Sequence, residues 1–244
     1  MARVKDFYAY LNSIAPFEAQ EDWDNSGMLV GDENAEVSKA AVVLDITPEA
    51  VEKAKSVGAN LIISHHPVIF NPIKSVVKGS LPYELVKASV NAICCHTPLD
   101  IADGGTNDSL AELLGIKVIR AENPILRLGT VEKTTAKELA DSIAKKLGTT
   151  VRYADAGRPI KKIAICTGAG CSLIEAAGDI DAFITGDASH HNFLDCIQSG
   201  ITLIAAGHYE TEIVVVPVIV KKLSEQFPEI EIIDLKQDNP IKFI

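Results

Sequence analysis

All six histidines of this chain fall where a predicted β-strand ends and a polar loop or a helix begins. They are His65, His66, His96, His190, His191 and His208. Asp100 follows His96 by four residues and Glu212 follows His208 by four, a spacing that puts both side chains on one face of a helix. Imidazole and carboxylate suit divalent transition metals, and a carboxylate can bridge two ions about 3.5–4 Å apart. A lone histidine here is more often a hydrogen-bonded structural residue, but the shared position of all six predicts a metal site.

The strands that precede these histidines are predicted to form a parallel sheet. Residues 40–44 and 61–63 are apolar runs typical of buried strands, and Pro48 marks the start of the helix between them. Such a βαβ unit implies parallel strands with a right-handed crossover. A third strand, residues 91–95, ends at His96. Because the carboxyl ends of parallel strands lie at one edge of a sheet, loops distant in sequence can converge there.

The second half of the chain repeats this arrangement. Strands are predicted at residues 163–166, 182–185 and 201–206, with an edge strand at 149–153. Helices are predicted from Thr134 to Leu147, over 173–177, and from about 212 to 227 before a last strand at 230–235. The pattern breaks at Asn123-Pro124, which predicts a domain boundary. We therefore expect one lobe at 1–123 and another at 124–212, with the segment 213–244 packing back onto the first.

Two other segments have chemical alternatives. Residues 21–31 hold the only tryptophan, Trp23, and four carboxylate or amide side chains that could act as oxygen ligands, and turn chemistry is the preferred interpretation. Residues 168–172 are small enough for a phosphate loop at a helix start. That loop lacks the Walker lysine motif, and no GxGxxG follows the first strand, so nucleotide hydrolysis of the classical kind and dinucleotide binding are disfavoured. No GxSxG elbow of a serine hydrolase is present.

Composition describes a globular, acidic protein, with 47% hydrophobic residues and a formal net charge of -10. That charge disfavours nucleic-acid binding, because phosphate-backbone binding needs clustered Lys and Arg. The amino terminus has no apolar signal core and no apolar run reaches about eighteen residues, so we expect a cytoplasmic protein that makes no membrane contact. The five cysteines, an odd number without CxxC pairs, are expected to be reduced and mostly buried.

Five segments, in order over nearly the whole chain, resemble the Nif-three-like family, whose bacterial members are labelled GTP cyclohydrolase 1 type 2 homologues. They are Glu21-Asp22-Trp23-Asp24-Asn25-Ser26-Gly27, Ile62-Ile63-Ser64-His65-His66-Pro67-Val68-Ile69-Phe70, His96-Thr97-Pro98-Leu99-Asp100, Thr185-Gly186-Asp187 with His191, and Gly207-His208-Tyr209-Glu210-Thr211-Glu212. The resemblance implies an α/β fold of two interleaved lobes with largely parallel or mixed sheets and a metal site in the cleft between them. It also implies the short form, without an inserted middle domain, and a toroidal homohexamer.

The resemblance further implies two divalent metal ions per subunit, of Zn, Fe, Mn, Ni or Co. Their ligands would be His65, His66, Asp100, His208 and Glu212, with Glu212 as the bridge. His96 and His191 would be the catalytic, proton-transferring groups, and Asp45 is a further candidate near the ions.

Two functions remain open at this point. The first is a metal-dependent hydrolase of a small nucleotide-like or heterocyclic substrate, for which the cyclohydrolase label is a family inference only. The second is a metal-binding scaffold or regulatory oligomer without catalysis, so the sequence leaves open whether the protein is an enzyme. Few basic residues are available to hold a triphosphate; the candidates are Lys74, Lys78, Arg120, Arg127 and Arg158.

Overall fold

A computed structural model describes residues 1–242 of the chain, which pack as two compact units. The first unit consists of Met1–Asp103 and Val216–Asp238. The second consists of Gly104–Val215 together with the described residues from 239 onward. The first unit is thus built from two separate stretches of sequence. The domain boundary expected at residue 123 lies inside the second unit. The predicted lobe boundaries therefore stay a prediction.

The strands and helices, numbered in chain order, alternate through most of the described chain. The strands are β1 (Gly27–Val30), β2 (Lys39–Val43), β3 (Leu61–Ser64), β4 (Asn91–Cys94), β5 (Val118–Arg120), β6 (Arg127–Thr134), β7 (Arg152–Ala154), β8 (Ile160–Cys166), β9 (Ala182–Thr185), β10 (Thr202–Ala205) and β11 (Glu231–Asp234). The helices are α1 (Val4–Ile14), α2 (Pro48–Val57), α3 (Leu81–Ala88), α4 (Thr97–Ile101), α5 (Thr106–Leu114), α6 (Ala136–Leu147), α7 (His190–Gln198), α8 (His208–Glu212) and α9 (Val215–Gln226). Within residues 1–242, no helix has the length and apolarity needed to cross a membrane.

The first unit contains a five-stranded mixed sheet in the order β1-β4-β3-β2-β11. The four consecutive strands β4, β3, β2 and β11 are parallel to one another, and only the edge strand β1 runs antiparallel, against β4. Every residue of β3 and β4 is buried, as expected for parallel strands covered on both faces. The predicted parallel βαβ unit is therefore confirmed, and it places the residues after β3 and β4 at one edge.

Local sequence explains the crossover helix α2. The Thr47 side chain accepts a hydrogen bond from the Ala50 amide, and Pro48 occupies the first turn, where its missing N–H costs nothing. Gly58 ends the helix with φ 75°, a left-handed conformation that a residue with Cβ adopts only with strain. These signals fix the direction in which the chain enters β3.

The carboxyl-terminal segment completes the first unit. Strand β11 pairs in parallel with β2, and Ile232 lies opposite Ala40. The ring of Phe227 stacks on that of Phe7 in α1 with centroids 4.0 Å apart. The last helix and strand thus supply part of the sheet and core of the unit in which the chain begins.

The second unit contains a six-stranded mixed sheet in the order β5-β6-β8-β9-β10-β7. Strands β8, β9 and β10 are parallel, and β7 is an antiparallel edge strand as predicted. A capping box between Thr135 and Glu138 starts α6. The mixed α/β class is therefore confirmed in both units.

Three local expectations differ from the structure. Strand β6 was not predicted, because its sequence, RLGTVEKT, mixes charges and a glycine and its outer position depends on pairing with β5 and β8. The helix expected over 173–177 is instead a pair of short 3-10 turns, Gly170–Leu173 and Glu175–Ala177. The helix expected from about residue 212 is two helices, α8 and α9, separated by a two-residue turn.

Candidate metal centre

His65 and His66 lie directly after β3 on a backbone that is held in place beyond the end of the strand. The His65 amide donates to the Val43 carbonyl at 3.2 Å and the His66 amide to the Leu44 carbonyl at 2.9 Å, which extends the pairing with the neighbouring strand. The Ser64 hydroxyl donates to the His66 carbonyl at 2.7 Å. Although neighbours on an extended chain diverge, the two imidazole centroids are 5.0 Å apart.

His96 reaches the same place from the end of β4. Its ring centroid is 5.2 Å from that of His65 and 5.3 Å from that of His66. One nitrogen from each of the three rings lies within 4.8 Å of the others, so this group could hold a metal ion. We call His65, His66 and His96 the first-unit histidines.

Each first-unit histidine is oriented through its Nδ1 atom. His65 Nδ1 is 3.1 Å from the Cys95 carbonyl oxygen, and His66 Nδ1 is 2.8 Å from Asp45 Oδ1. His96 Nδ1 is 2.8 Å from Asp24 Oδ1. Because a carbonyl or carboxylate oxygen only accepts, Nδ1 carries the proton and Nε2 of a neutral ring carries the lone pair. Metal-ligating histidines are held in this way in proteins.

Asp24 is a buried carboxylate that anchors the loop before β1 to His96. Its side chain is inaccessible to solvent. It accepts from the Asn25 amide at 2.6 Å, the Ser26 hydroxyl at 3.0 Å and the Thr97 amide at 3.0 Å, besides His96. Burial by itself raises the pKa of Asp24, but hydrogen bonds from His96 and Thr97 outweigh it and hold the pKa well below its usual range. Asp24 is therefore a carboxylate facing the His96 ring.

Asp100 lies on the short helix α4, which starts immediately after His96. The Asp100 amide donates to the His96 carbonyl at 3.2 Å, so the predicted helical spacing between these residues is present. The carboxylate is buried, and its Oδ1 atom is 3.6 Å from His65 Nε2. Asp100 thus adds an oxygen ligand beside the first-unit histidines.

The second unit brings His208 and Glu212 together on α8. His208 Nε2 is 3.1 Å from Glu212 Oε2, and His208 Nδ1 is 2.7 Å from Asp187 Oδ2, just after β9. The Glu212 carboxylate makes the largest contribution to raising the pKa of His208 to about 9; Asp187 acts in the same direction and burial opposes both. Glu212 itself is only 4% exposed. We call His208 and Glu212 the second-unit pair.

Gly168 has no side chain, and this leaves the space that the second-unit pair occupies. A Cβ atom on it would lie 2.1 Å from Glu212 Oε1 and 3.2 Å from His208 Nε2, and its φ is +60°. Its amide donates to the Thr211 hydroxyl at 3.2 Å, and its carbonyl accepts from the Thr185 hydroxyl at 3.1 Å. The small-residue loop therefore lies against a carboxylate, which would repel the phosphate considered from sequence.

His190 and His191 lie elsewhere, exposed at the start of α7. Their ring centroids are 5.7 Å apart. Within residues 1–242, no close group of three metal-ligating side chains includes either of them. The catalytic role expected for His191 remains a prediction.

The donor atoms fit a divalent transition metal bound by nitrogen and oxygen. Neighbouring thiols do not compete, because burial raises the pKa of Cys94 and of Cys95 well above the usual range of a thiol. Cys94 Sγ instead donates to the His65 carbonyl at 3.0 Å. Imidazole and carboxylate without thiolate suit Zn, Fe, Mn, Ni or Co.

The acids that orient the rings were largely missed from sequence. The sequence pattern predicts turn chemistry for Asp24, assigns no role to Asp187 and indicates Asp45 only as a further candidate. A usable signal was present, because Asp45 and Asp187 follow the carboxyl ends of parallel strands just as the histidines do.

An α/β fold with two mixed sheets, carrying His and His/Glu groups at strand ends that could hold a metal ion, defines the class of this protein. The chain belongs to the Duf34/NIF3 (NGG1p interacting factor 3) family, which it matches over residues 2–240. The family resemblance noted from sequence is thus confirmed.

Individual relatives match this chain over most of their length. A GTP cyclohydrolase 1 type 2 homolog from Campylobacter jejuni is 35% identical, over 86% of this chain and 87% of the relative. One from Clostridium perfringens is 32% identical, over 99% and 100%. The crystal structure of a Staphylococcus aureus hypothetical protein, 28% identical, superposes with a TM-score of 0.92 over 99% of each chain.

Proposed function

We propose that this protein is a metal-dependent hydrolase with a dinuclear metal centre. The ligands would be His65, His66, Asp100, His208 and Glu212. The observation that carries the proposal is the shared orientation of four imidazoles, His65, His66, His96 and His208, each with Nδ1 hydrogen-bonded to a fixed acceptor. A purely structural histidine needs no such uniform arrangement, whereas a ligand does.

Divalent ions held there would supply an acidified water and a polarised substrate. The side chains of the protein would orient the ligands and transfer protons. Asp24, Asp45 and Asp187 keep the rings in orientation, and the Asp24 carboxylate stabilises positive charge on His96 when that ring takes up a proton. His96 and His191 are the proposed proton carriers.

The substrate class we propose is a small nucleotide-like heterocycle. Support comes from two relatives that carry the name GTP cyclohydrolase 1 type 2 homolog, a name that describes those proteins. A ring whose hydrolysis opens a C–N bond needs an activated water and a proton donor for the leaving nitrogen, which are the roles given above to this site.

Metal analysis tests the proposal directly. Protein purified without chelator should contain about two transition-metal ions per subunit, in keeping with a carboxylate-bridged pair. Asp100→Asn and His208→Gln should each lower the metal content, while His190→Gln, which changes an exposed histidine outside the group, should not. Absence of stoichiometric metal, with none taken up on addition of Zn²⁺, Mn²⁺ or Fe²⁺, would overturn it.

A scaffold role is the second candidate, because one surface loop favours self-association. Apolar residues of the segment 67–80 are about half exposed, namely Phe70, Ile73, Val76 and Val77. Exposed apolar side chains gathered on one loop suit an interface between copies of the chain. We propose a homo-oligomer, a toroidal hexamer, in the reducing cytoplasm where the five free cysteines stay reduced. In Asp100→Ala, lost turnover with an intact oligomer supports the enzyme; collapse of the oligomer, with no turnover in the wild type, supports the scaffold.

A further inference from the structure

Two aromatic side chains stand exposed beside the first-unit histidines. Trp23 is 55% exposed and Phe70 is 44% exposed. Their ring centroids are 5.9 Å apart with planes inclined by 30°. Rings of this size are usually buried, so their exposure in one cluster needs a reason.

Both rings contact the same imidazole. The centroid of His96 is 5.7 Å from that of Trp23 and 6.3 Å from that of Phe70, and both contacts are edge-to-face. The exposed rings therefore lie next to the first-unit histidines rather than at a remote surface.

Hydrogen bonds hold the two aromatic loops together. The Asn25 side-chain amide donates to the Ile69 carbonyl at 2.6 Å, which ties the residue two after Trp23 to the residue just before Phe70. The Asp24 amide donates to the Glu21 carbonyl at 2.9 Å and closes the turn that carries Trp23. The pair is thus preorganised before any ligand arrives, which reduces the cost of binding.

We infer that Trp23 and Phe70 form a stacking platform for the planar heteroaromatic ring of the substrate. The inference rests on the proposed function, since it gives that site its ring-binding surface. Centroids in contact are about 4.5–7 Å apart, so these two rings already touch and no third ring fits between them. The incoming ring stacks instead on an exposed face of this pair, near His96, which both rings contact.

The loop that carries Phe70 also indicates the charge of the ligand. Residues 67–80 contain Lys74 and Lys78 and no Asp or Glu, in a chain of net charge -10. Both lysines are exposed. A planar ring carrying an anionic group, such as a phosphate, matches the two lysines that follow Phe70 on its loop.

The single tryptophan makes the inference directly measurable. We would titrate the full-length protein with guanosine 5′-monophosphate, guanosine and ribose 5-phosphate while recording Trp23 fluorescence, once metal-loaded and once after chelation. The nucleotide should quench in a saturable way, guanosine should bind more weakly, and ribose 5-phosphate should have no effect. Phe70→Leu should weaken nucleotide binding by about 10-fold, in line with the cost of removing one stacking ring. Tyr153→Leu, an exposed aromatic residue in β7, should leave it unchanged.

The outcomes separate this inference from the proposed metal centre. Saturable quenching by the nucleotide, in protein that contains no metal when purified without chelator and takes none up on addition, keeps the platform and rejects the metal centre. A stoichiometric metal content without nucleotide quenching keeps the centre and rejects the platform. The platform would also be rejected if Phe70→Leu and Tyr153→Leu bound the nucleotide with equal affinity, or if ribose 5-phosphate quenched the fluorescence. Fluorescence that changes with protein concentration alone would reject it too, because a second copy of the chain would then cover the rings.

Discussion

The two units prepare metal-ligating side chains in different ways. In the first unit, three imidazoles are oriented by hydrogen bonds to a carbonyl and two carboxylates. In the second unit, one imidazole and one carboxylate lie on a single turn of α8, and space for the carboxylate comes from the missing side chain of Gly168.

The two units differ in the kind of interaction that holds these side chains in place. The first-unit histidines depend on acceptors in distant loops, so their arrangement rests on charge and hydrogen bonding. The second-unit pair depends on close packing around Glu212, so it rests on volume and backbone conformation. Substitutions that alter charge should therefore harm the first unit more, and substitutions that add volume should harm the second.

The largest effect is expected from Gly168→Ala. The new Cβ forces the Glu212 carboxylate to move and strains a backbone with φ +60°. We expect a loss of about 2–4 kcal/mol in the free energy of unfolding, from the sum of left-handed strain and overpacking. The metal content per subunit should fall, as measured by elemental analysis beside a denaturant titration.

Gly148→Ala is the matched control for that substitution. Gly148 ends α6 in a left-handed conformation with φ +66° and has no atom within 4 Å of an added Cβ, so it isolates the backbone strain. It should cost about 1 kcal/mol and leave the metal content unchanged. If the two variants lose equal stability and bind equal metal, close packing around Glu212 does not set the second-unit pair.

Asp24→Asn should have the next largest effect, in the first unit. An amide in place of one carboxylate oxygen cannot satisfy the donors from Ser26 and Thr97 while still accepting from His96. We expect the affinity for Zn²⁺ to fall by about 10–100-fold and the free energy of unfolding by about 1.5–3 kcal/mol. Isothermal calorimetry and denaturant unfolding measure these. Asp22→Asn, at an exposed residue of the same loop, is the control, and a wild-type affinity in Asp24→Asn would count against ring orientation by charge.

Local signals in the sequence were sufficient for the central part of each sheet. The β2–α2–β3 unit follows from Thr47-Pro48, from Gly58 and from two apolar runs, because all of these act within a few residues. Strand β6 could not be found in this way, since Arg127, Gly129 and the charged residues after them become a strand only through pairing with β5 and β8.

The candidate site shows the same limit. The four-residue spacing of His208 and Glu212 is local and was found from sequence, and the α8 geometry matches it. The partner of His96 is not local, because Asp24 precedes it by 72 residues and is joined to it only when β1 pairs with β4. Sequence patterns identify ligand types near strand ends, but the acceptors that orient them depend on tertiary packing.

Asp45→Asn in the first unit and Asp187→Asn in the second should have moderate effects, and the larger of the two is expected at Asp45. An asparagine oxygen can still accept from Nδ1, so the ring stays oriented and only the charge is lost. We expect affinity for Zn²⁺ to fall by about 10-fold, with unfolding free energies within about 0.5 kcal/mol of wild type.

The pKa of His208 sharpens this test. In metal-free Asp187→Asn it should fall below the wild-type value of about 9 yet stay above 6.5, because Glu212 makes the larger contribution. An NMR titration of the His208 ring measures it. A value that returns to 6.5 would show that Asp187, rather than the neighbour on α8, governs this imidazole.

The smallest effect on metal binding is expected at Asp181, a carboxylate of the second unit with no part in either ligand set. It accepts from the Lys161 and Lys162 amides, each at 2.8 Å, and from Arg158 at 2.9 Å. Burial alone raises its pKa, but these hydrogen bonds outweigh burial and lower it. Since the folded pKa is depressed, the carboxylate stabilises the fold above the unfolded pKa of about 3.9, and that stability is lost as the pH falls below it.

Wild type should therefore exceed Asp181→Asn in unfolding free energy by about 1 kcal/mol at pH 7, and the gap should close as the pH falls below about 4. Urea titrations at several pH values measure the gap, and metal content at pH 7 should be equal in the two proteins. A loss of metal in Asp181→Asn would mean that charge substitutions disturb the second unit in general. The contrast between a charge-dependent first unit and a packing-dependent second unit would then no longer hold.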